Sequence, residues 1–123
     1  MTRRSPLSRS RGRRFWLVRV LLDEQLPLDL AAMLEGHAAT TVTGRGWAGV
    51  KNGDLLRRMR GEYDALLTMD QGIEFQQNIG ALPFGVLLVL APSNRMVHLH
   101  PLVPAILDAL PALRPGQLIR IGG

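Results

Sequence analysis

Carboxylate side chains follow two of the apolar runs in this sequence, at the point where each run ends. Asp23 and Glu24 come directly after the run 17–22, and Asp70 comes just after the run 63–68. If both runs are strands of a parallel sheet, their carboxyl ends meet at one edge and these acids converge there. Carboxylate oxygens are the ligands that Mg²⁺ and Mn²⁺ prefer. A cation held there can activate water for attack on a phosphodiester.

A third aspartate, Asp54, falls in the first turn of a predicted helix. Carboxylates that are brought together repel one another, so their convergence favours a cation between them. The alternative is structural, because acids at helix starts also act as caps and as partners of the helix dipole. The metal interpretation is favoured for Asp23 and Asp70. It stays open for Glu24 and Asp54, and it is weaker for Glu74, which lies in an exposed helix turn.

Further polar residues are predicted beside the same edge, where they would contact substrate or orient a water molecule. They are Gln77, Asn78, Ser93, Asn94 and Arg95. The uncharged residues among them also cap helices and close turns, and a lone arginine is commonly solvated, so both interpretations stay open. Trp47, in a glycine-rich loop, is predicted to anchor that loop on the core rather than to stack on a base.

Five strands and four helices are predicted to position these residues. The strands are 17–22, 39–43, 63–68, 85–90 and 117–121, and the helices begin near Pro27, Asn52, Gly72 and Met96. Asn52 is predicted to cap its helix. The last helix is predicted to run from about Met96 to Leu113, with Pro101 and Pro104 at its beginning or bending it. This alternation predicts an α/β fold: a three-layer α/β/α sandwich with a mainly parallel sheet of four to five strands, joined by right-handed crossovers.

The length and composition fit one domain. A chain of 123 residues buries roughly two-thirds of the surface that its unfolded form exposes. Hydrophobic residues make up 46% of the sequence and aromatic residues only 5%, so the core is predicted to consist mainly of Leu, Val, Ile and Ala. The sequence has no cysteine, which excludes disulfides, thiolate metal sites and cysteine catalysis.

The net charge of +5 is concentrated at the N-terminus. Six of the 15 basic residues lie in residues 1–14, so nine remain against all ten acids and the net charge of residues 15–123 is −1. We predict a disordered basic arm over 1–14 and a single domain over 15–123. The pair Arg13-Arg14 resembles a twin-arginine export signal, but Arg19 and Asp23 interrupt the apolar stretch that should follow. A cytoplasmic protein without a membrane span is therefore expected.

The segment Val20-Leu21-Leu22-Asp23-Glu24-Gln25-Leu26-Pro27 opens a series of motifs that together resemble one known family, the short PIN-like proteins of unknown function. The other motifs follow in the same order as in the family: 46–47, 51–56, 67–70, 76–78, 91–95 and 101–104. The motifs in order are far more specific than any one of them. The resemblance covers about residues 18–121.

The resemblance implies a PIN-like fold and a nuclease that depends on Mg²⁺. Together with the convergent acids it leads us to expect phosphodiester hydrolysis, of RNA rather than DNA, by a water molecule that Mg²⁺ or Mn²⁺ activates. The resemblance also implies a toxin of a bacterial toxin–antitoxin pair, with an antitoxin protein as partner, and a homodimer. Asp23, Asp54 and Asp70 carry over as metal ligands, and Glu24 carries over with the opening motif. Some relatives have a second aspartate two residues after the one matching Asp70. This chain has Gly72 there, with Glu74 as an imperfect substitute.

Two other functions compete with a nuclease. A phosphorylatable receiver domain also has about this length, an acidic pair after its first strand and an aspartate after its third. It needs a lysine near a later strand end, and the only lysine here, Lys51, lies elsewhere in the sequence. The second competitor is a catalytically silent PIN-like module that binds a partner. The low aromatic content and near-neutral charge of 15–123 argue against strong nucleic-acid binding by such a module alone.

Overall fold

Five parallel strands form the central sheet in the computed structural model, which describes residues 17–123. They are β1 (Arg19–Leu22), β2 (Ala38–Thr41), β3 (Ala65–Thr68), β4 (Gly85–Leu90) and β5 (Leu118–Gly122). Their order across the sheet is β2-β1-β3-β4-β5, and every neighbouring pair is parallel. The predicted arm 1–14 and the start of the predicted domain at 15–16 lie outside the described residues.

The side chains of the strands alternate between the two faces of the sheet. In β1, Val20 and Leu22 belong to one apolar cluster and Leu21 belongs to another, as the two-residue period of a strand requires. The face that carries Val20 is called the first face here, and the face that carries Leu21 is the second. Both faces of the inner strands are buried, which explains why these strands are apolar throughout.

Helices cover both faces. They are α1 (Leu28–Ala32), α2 (Asn52–Met59), α3 (Ile73–Gln76), α4 (Met96–Leu99) and α5 (Val103–Ala109). Buried residues of α1, α4 and α5 join the first-face cluster, and those of α2 and α3 join the second-face cluster. The α/β fold with a parallel sheet is confirmed, and two helical layers around one sheet fit the three-layer arrangement.

The helix α2 shows how the sequence pattern sets these layers. Leu55, Leu56 and Met59 are buried and Arg57 and Arg58 are exposed, as the helical period predicts.

No helix within the described range 17–123 is long and apolar enough to cross a membrane.

The predicted helix 96–113 is present as an unbroken run of helical residues over 96–112, and prolines divide it, as Pro101 and Pro104 were expected to do. The structure divides this segment into α4, α5 and two short 3₁₀ turns, His100–Leu102 and Leu110–Ala112. A proline stands in the first two positions of three of these pieces. Because proline lacks an N–H group and its ring collides with the preceding turn, each one starts a new short segment instead of continuing the helix.

The connection from β4 to β5 has an unexpected hand. It runs over the first face, as does the connection from β1 to β2, although the two move in opposite directions across the sheet. Two crossovers over one face that move in opposite directions have opposite hands. The other two connections run over the second face, move toward β5 and share the hand of the first. The expectation of right-handed crossovers throughout is therefore wrong for the last one.

Candidate functional site

An open cleft lies where β1 and β3 end. These strands are neighbours, but the chain leaves β1 toward the first face and β3 toward the second, and such a switch point opens a crevice in α/β sheets. The cleft has a volume of about 660 Å³. Its lining residues come from the β1 end, the start of α2 and the segment after β3: Asp23, Glu24, Gln25, Val50, Lys51, Asn52, Gly53, Asp70, Gln76 and Gln77. The predicted convergence of Asp23, Glu24 and Asp70 at one edge is thus present.

Thr68, the last residue of β3, links the two aspartates. Its side chain is fully buried, and its Oγ1 donates a hydrogen bond to Asp23 Oδ2 at 2.6 Å. The same Oγ1 accepts the backbone N–H of Asp70 at 3.0 Å. Asp23 Oδ1 also accepts the N–H of Glu24 at 2.8 Å. One hydroxyl group therefore sets the position of one carboxylate and of the backbone that carries the other.

The carboxylate of Asp70 is held by two further donors. Its Oδ1 accepts the backbone N–H of Gly72 at 2.9 Å, and its Oδ2 accepts the side-chain amide of Asn52 at 2.8 Å. The predicted capping role of Asn52 is wrong, because Lys51 occupies the N-cap position and no side chain caps α2. The amide of Asn52 binds the site instead, where it joins the start of α2 to the end of β3.

Asp54 does not join these residues. It lies two positions after Asn52 in α2, and two residues correspond to about 200° of rotation around a helix, so the two side chains point to opposite sides. Its carboxylate is exposed, forms an ion pair with Arg57 in the same helix and does not line the cleft. The structure thus does not assemble the predicted three-aspartate set.

Glu74 is also directed elsewhere. Its carboxylate forms an ion pair with Arg120 of β5, so it does not replace the second aspartate of the family pattern. Position 72 itself faces the site: a Cβ added to Gly72 would lie 3.3 Å from Asp70 Oδ1 and 3.1 Å from Gln76 Nε2. A side chain at position 72 would therefore lie directly beside Asp70, and a neighbouring side chain would have to shift by a few tenths of an ångström to accept it.

Glu24 and Gln77 line the cleft as predicted. Glu24 is exposed, and its Oε1 accepts the backbone N–H of Gly49 at 3.0 Å, which ties the glycine-rich loop to the end of β1. Asn78 is exposed and is not among the lining residues.

The segment 93–95 lies at the end of β4, beside the main cleft. Asn94 donates its side-chain amide to the backbone oxygen of Gln25 at 2.7 Å and lines a second cavity of about 320 Å³ with Gln25 and Met69. Ser93 Oγ is 2.7 Å from His98 Nδ1 and accepts the N–H of Arg95, which shows the turn-closing role that its residue type also predicts. Arg95 is exposed at the N-cap of α4.

Trp47 anchors the loop after β2. It packs against the second-face cluster and makes an edge contact with Tyr63, with ring centroids 6.4 Å apart. The guanidinium group of Arg45 lies 4.1 Å from the Trp47 ring centroid and donates to the Tyr63 hydroxyl at 2.8 Å. These contacts agree with the predicted structural role.

Comparison with family models, with curated proteins and with solved structures gives no match to this chain. The PIN-like identity therefore stays a prediction.

The donor set of the cleft suits a magnesium-type cation only in part. No group of three or more Asp, Glu, His or Cys side chains within residues 17–123 is arranged to hold a metal ion. Mg²⁺, however, is commonly bound by one or two carboxylates and completes its shell with water and substrate phosphates. Asp23 and Asp70 are partly exposed in an open, oxygen-rich cleft, and each carboxylate oxygen keeps a second lone pair beyond its present hydrogen bond. The pair fits this type of site.

Proposed function

We propose that this protein is a nuclease that depends on Mg²⁺ or Mn²⁺ and hydrolyses phosphodiester bonds, of RNA rather than DNA, in the cleft between β1 and β3. The observation that carries the proposal is the pair Asp23 and Asp70, which are held at neighbouring strand ends by one buried hydroxyl group, that of Thr68. Thr68 fixes the carboxylate of Asp23 and the backbone of Asp70, and Asn52 and Gly72 fix the carboxylate of Asp70, so two partly exposed acids are held in defined positions at one edge of an otherwise apolar sheet.

Asp23 and Asp70 would hold the cation. When bound, it supplies an activated water and neutralises charge that develops on the phosphodiester. Lys51 lines the same cleft beside the uncapped start of α2, so a phosphate there meets an ammonium group and the positive end of a helix dipole. The amide groups of Gln76 and Gln77 line the cleft as hydrogen-bond partners for substrate oxygens or water.

A toxin role, an antitoxin partner, a homodimer and a cytoplasmic location are parts of the same proposal. They are supported by the resemblance of the sequence segments and not by the geometry of the cleft. A small DNA-binding protein encoded next to this chain would support the toxin role.

The test is the calorimetric titration of Mn²⁺ and Mg²⁺ into the folded protein, with and without a single-stranded RNA. We expect Asp23→Asn and Asp70→Asn each to weaken metal binding and to abolish RNA cleavage. Asp54→Asn is the matched control, because it removes the same charge from an exposed position outside the cleft. Absence of metal binding by the wild type under both conditions would refute the proposal and favour a silent binding module. Equal losses in all three variants would show an unspecific charge effect.

The receiver alternative gains support from two observations. The strand order β2-β1-β3-β4-β5 is that of flavodoxin-type sheets, and Lys51, remote in sequence, does line the cleft with Asp70. Against it, both carboxylate oxygens of Asp70 already accept hydrogen bonds, and the hand of the last crossover differs from the usual one. Incubation with acetyl phosphate and mass spectrometry of the Asp70 peptide decides this point, since a receiver would become phosphorylated there.

A further inference from the structure

We infer that Phe75 is a stacking platform for an unpaired nucleobase at the rim of the cleft, an inference that rests on the proposed nuclease function. Phe75 is 84% exposed, more than any other large hydrophobic side chain that the structure describes. Single exposed apolar residues are common on protein surfaces and need no explanation by themselves. Two features distinguish Phe75: the short helix that carries it is held in place by several contacts, and that helix lies next to the cleft.

The helix α3 is fixed on three sides. Ile73 is fully buried in the second-face cluster, and Glu74 forms its ion pair with Arg120 of β5. The start of the helix is tied to the site, since the N–H of Ile73 donates to the backbone oxygen of Asp70 at 3.1 Å. With these contacts in place, α3 cannot rotate to bury Phe75. The ring is therefore presented to solvent by a short helix that is anchored next to a proposed metal ligand.

The position of Phe75 follows from its neighbour Gln76. Gln76 lines the cleft, and its amide lies near Asp70, because a Cβ on Gly72 would be about equally close to both side chains. Phe75 is not itself a lining residue; its Cα is about 3.8 Å from that of Gln76, and its side chain is turned about 100° around α3 from the cleft wall. A ligand that leaves the cleft over α3 would meet the aromatic ring.

A nucleotide chain has the chemistry that fits both features. Its phosphate groups suit a cleft with a cation and Lys51, and its bases offer flat apolar faces to an aromatic ring. Every base has such a face, so stacking on Phe75 would not distinguish sequences. In a duplex the base faces are covered by neighbouring pairs. Phe75 therefore makes the enzyme prefer single-stranded over double-stranded substrate without selecting a base.

The test compares steady-state cleavage of a single-stranded RNA by wild type, Phe75→Ala and Phe75→Trp. Loss of one stacked base is expected to raise KM by roughly 5- to 100-fold in Phe75→Ala. The value of kcat should be unchanged, because stacking is present in both the bound substrate and the transition state. Phe75→Trp should retain a low KM. Val97→Ala is the control, since Val97 is also an exposed apolar residue, on α4. Thermal unfolding should be unaffected by all three substitutions.

A second readout does not depend on activity. Single-stranded RNA that carries a photoreactive 5-iodouridine should crosslink to Phe75, as located by mass spectrometry, and the duplex of the same sequence should not. Cleavage by the wild type with an equal KM in Phe75→Ala would overturn this inference and leave the proposed nuclease intact. Absence of metal-dependent cleavage by the wild type would overturn the nuclease, and the stacking role with it.

Discussion

Replacement of Thr68 by valine should remove one hydrogen bond to the Asp23 carboxylate and one to the backbone of Asp70, while leaving the shape of the core nearly unchanged. The hydroxyl group makes one hydrogen bond to a carboxylate at 2.6 Å and accepts one backbone N–H at 3.0 Å, and the side chain is fully buried. A hydrogen bond to a charged group contributes about 1.5 to 3 kcal/mol, and a buried N–H left without a partner costs about 1 to 3 kcal/mol. Since the two effects overlap, we expect Thr68→Val to lower the free energy of unfolding by about 2 to 4 kcal/mol.

The assay is urea unfolding at neutral pH, with Thr68→Ser as the matched control. Serine keeps the hydroxyl group and removes one buried methyl group, which costs about 1 kcal/mol. In thermal unfolding, the valine variant should melt roughly 8 to 16 °C below the wild type, at about 4 °C per kcal/mol. The rate of metal-dependent cleavage should be measured at a temperature at which both variants are folded. It should fall more than tenfold in Thr68→Val only, since a misplaced reacting group can lower a rate by up to about 100-fold. A valine variant as stable and as active as the serine variant would refute the role assigned to Thr68.

Two further predictions concern His37 and Gly72. His37 Nδ1 accepts the N–H of Val18 at 3.0 Å, and burial lowers the pKa of His37 below its usual value. The unfolded chain therefore takes up a proton below about pH 6.5 before the native state does, so the free energy of unfolding should fall between pH 7 and pH 5, by less than about 1.4 kcal/mol per pH unit. His37→Asn keeps a hydrogen-bond acceptor but does not titrate. Its free energy of unfolding, measured with urea, should therefore change less with pH than that of the wild type; an equal dependence on pH would contradict the role of His37. Gly72→Asp should tighten Mn²⁺ binding, measured by calorimetry, because it places a carboxylate beside Asp70. Gly72→Asn, the control, should not tighten it. Equal Mn²⁺ affinities of the two variants would show that a side chain at position 72 does not reach the cation.

The parts of the fold that depend on local pattern were predictable. The buried face of α2, the interior position of β4 and the edge position of β5 all follow from apolar spacing, and the structure confirms them. The breaks in the segment 96–113 were predictable at Pro101 and Pro104, whereas the break at Pro111 was not predicted. The hand of the last crossover depends on which face accepts α4 and α5, and no local pattern carries that information.

The positions of Asp23 and Asp70 in the candidate site were predictable, because each residue comes just after the end of a strand. The site was not predictable where a residue type has two common uses. Asn52 was predicted to cap α2, but its amide binds Asp70. Because Asn52 points into the cleft, Asp54, two residues later in the helix, points away from it and pairs with Arg57. Thr68 offered one signal, a polar side chain at the end of an apolar strand. Its importance appears only when β1 and β3 are placed side by side, which brings Asp23 within reach of its hydroxyl group.

The reversed hand of the β4–β5 connection has a consequence for the order of folding. The connection 91–117 has to lay α4 and α5 on the first face before β5 can pair with β4 in the disfavoured hand, so β5 is expected to be the last strand to add. Every residue that anchors the two aspartates lies between positions 23 and 72. The hydrogen bonds that hold the two aspartates therefore belong to the part of the chain that is synthesised early, whereas α3, whose Gln76 lines the cleft, gains its ion pair with Arg120 only when β5 is in place.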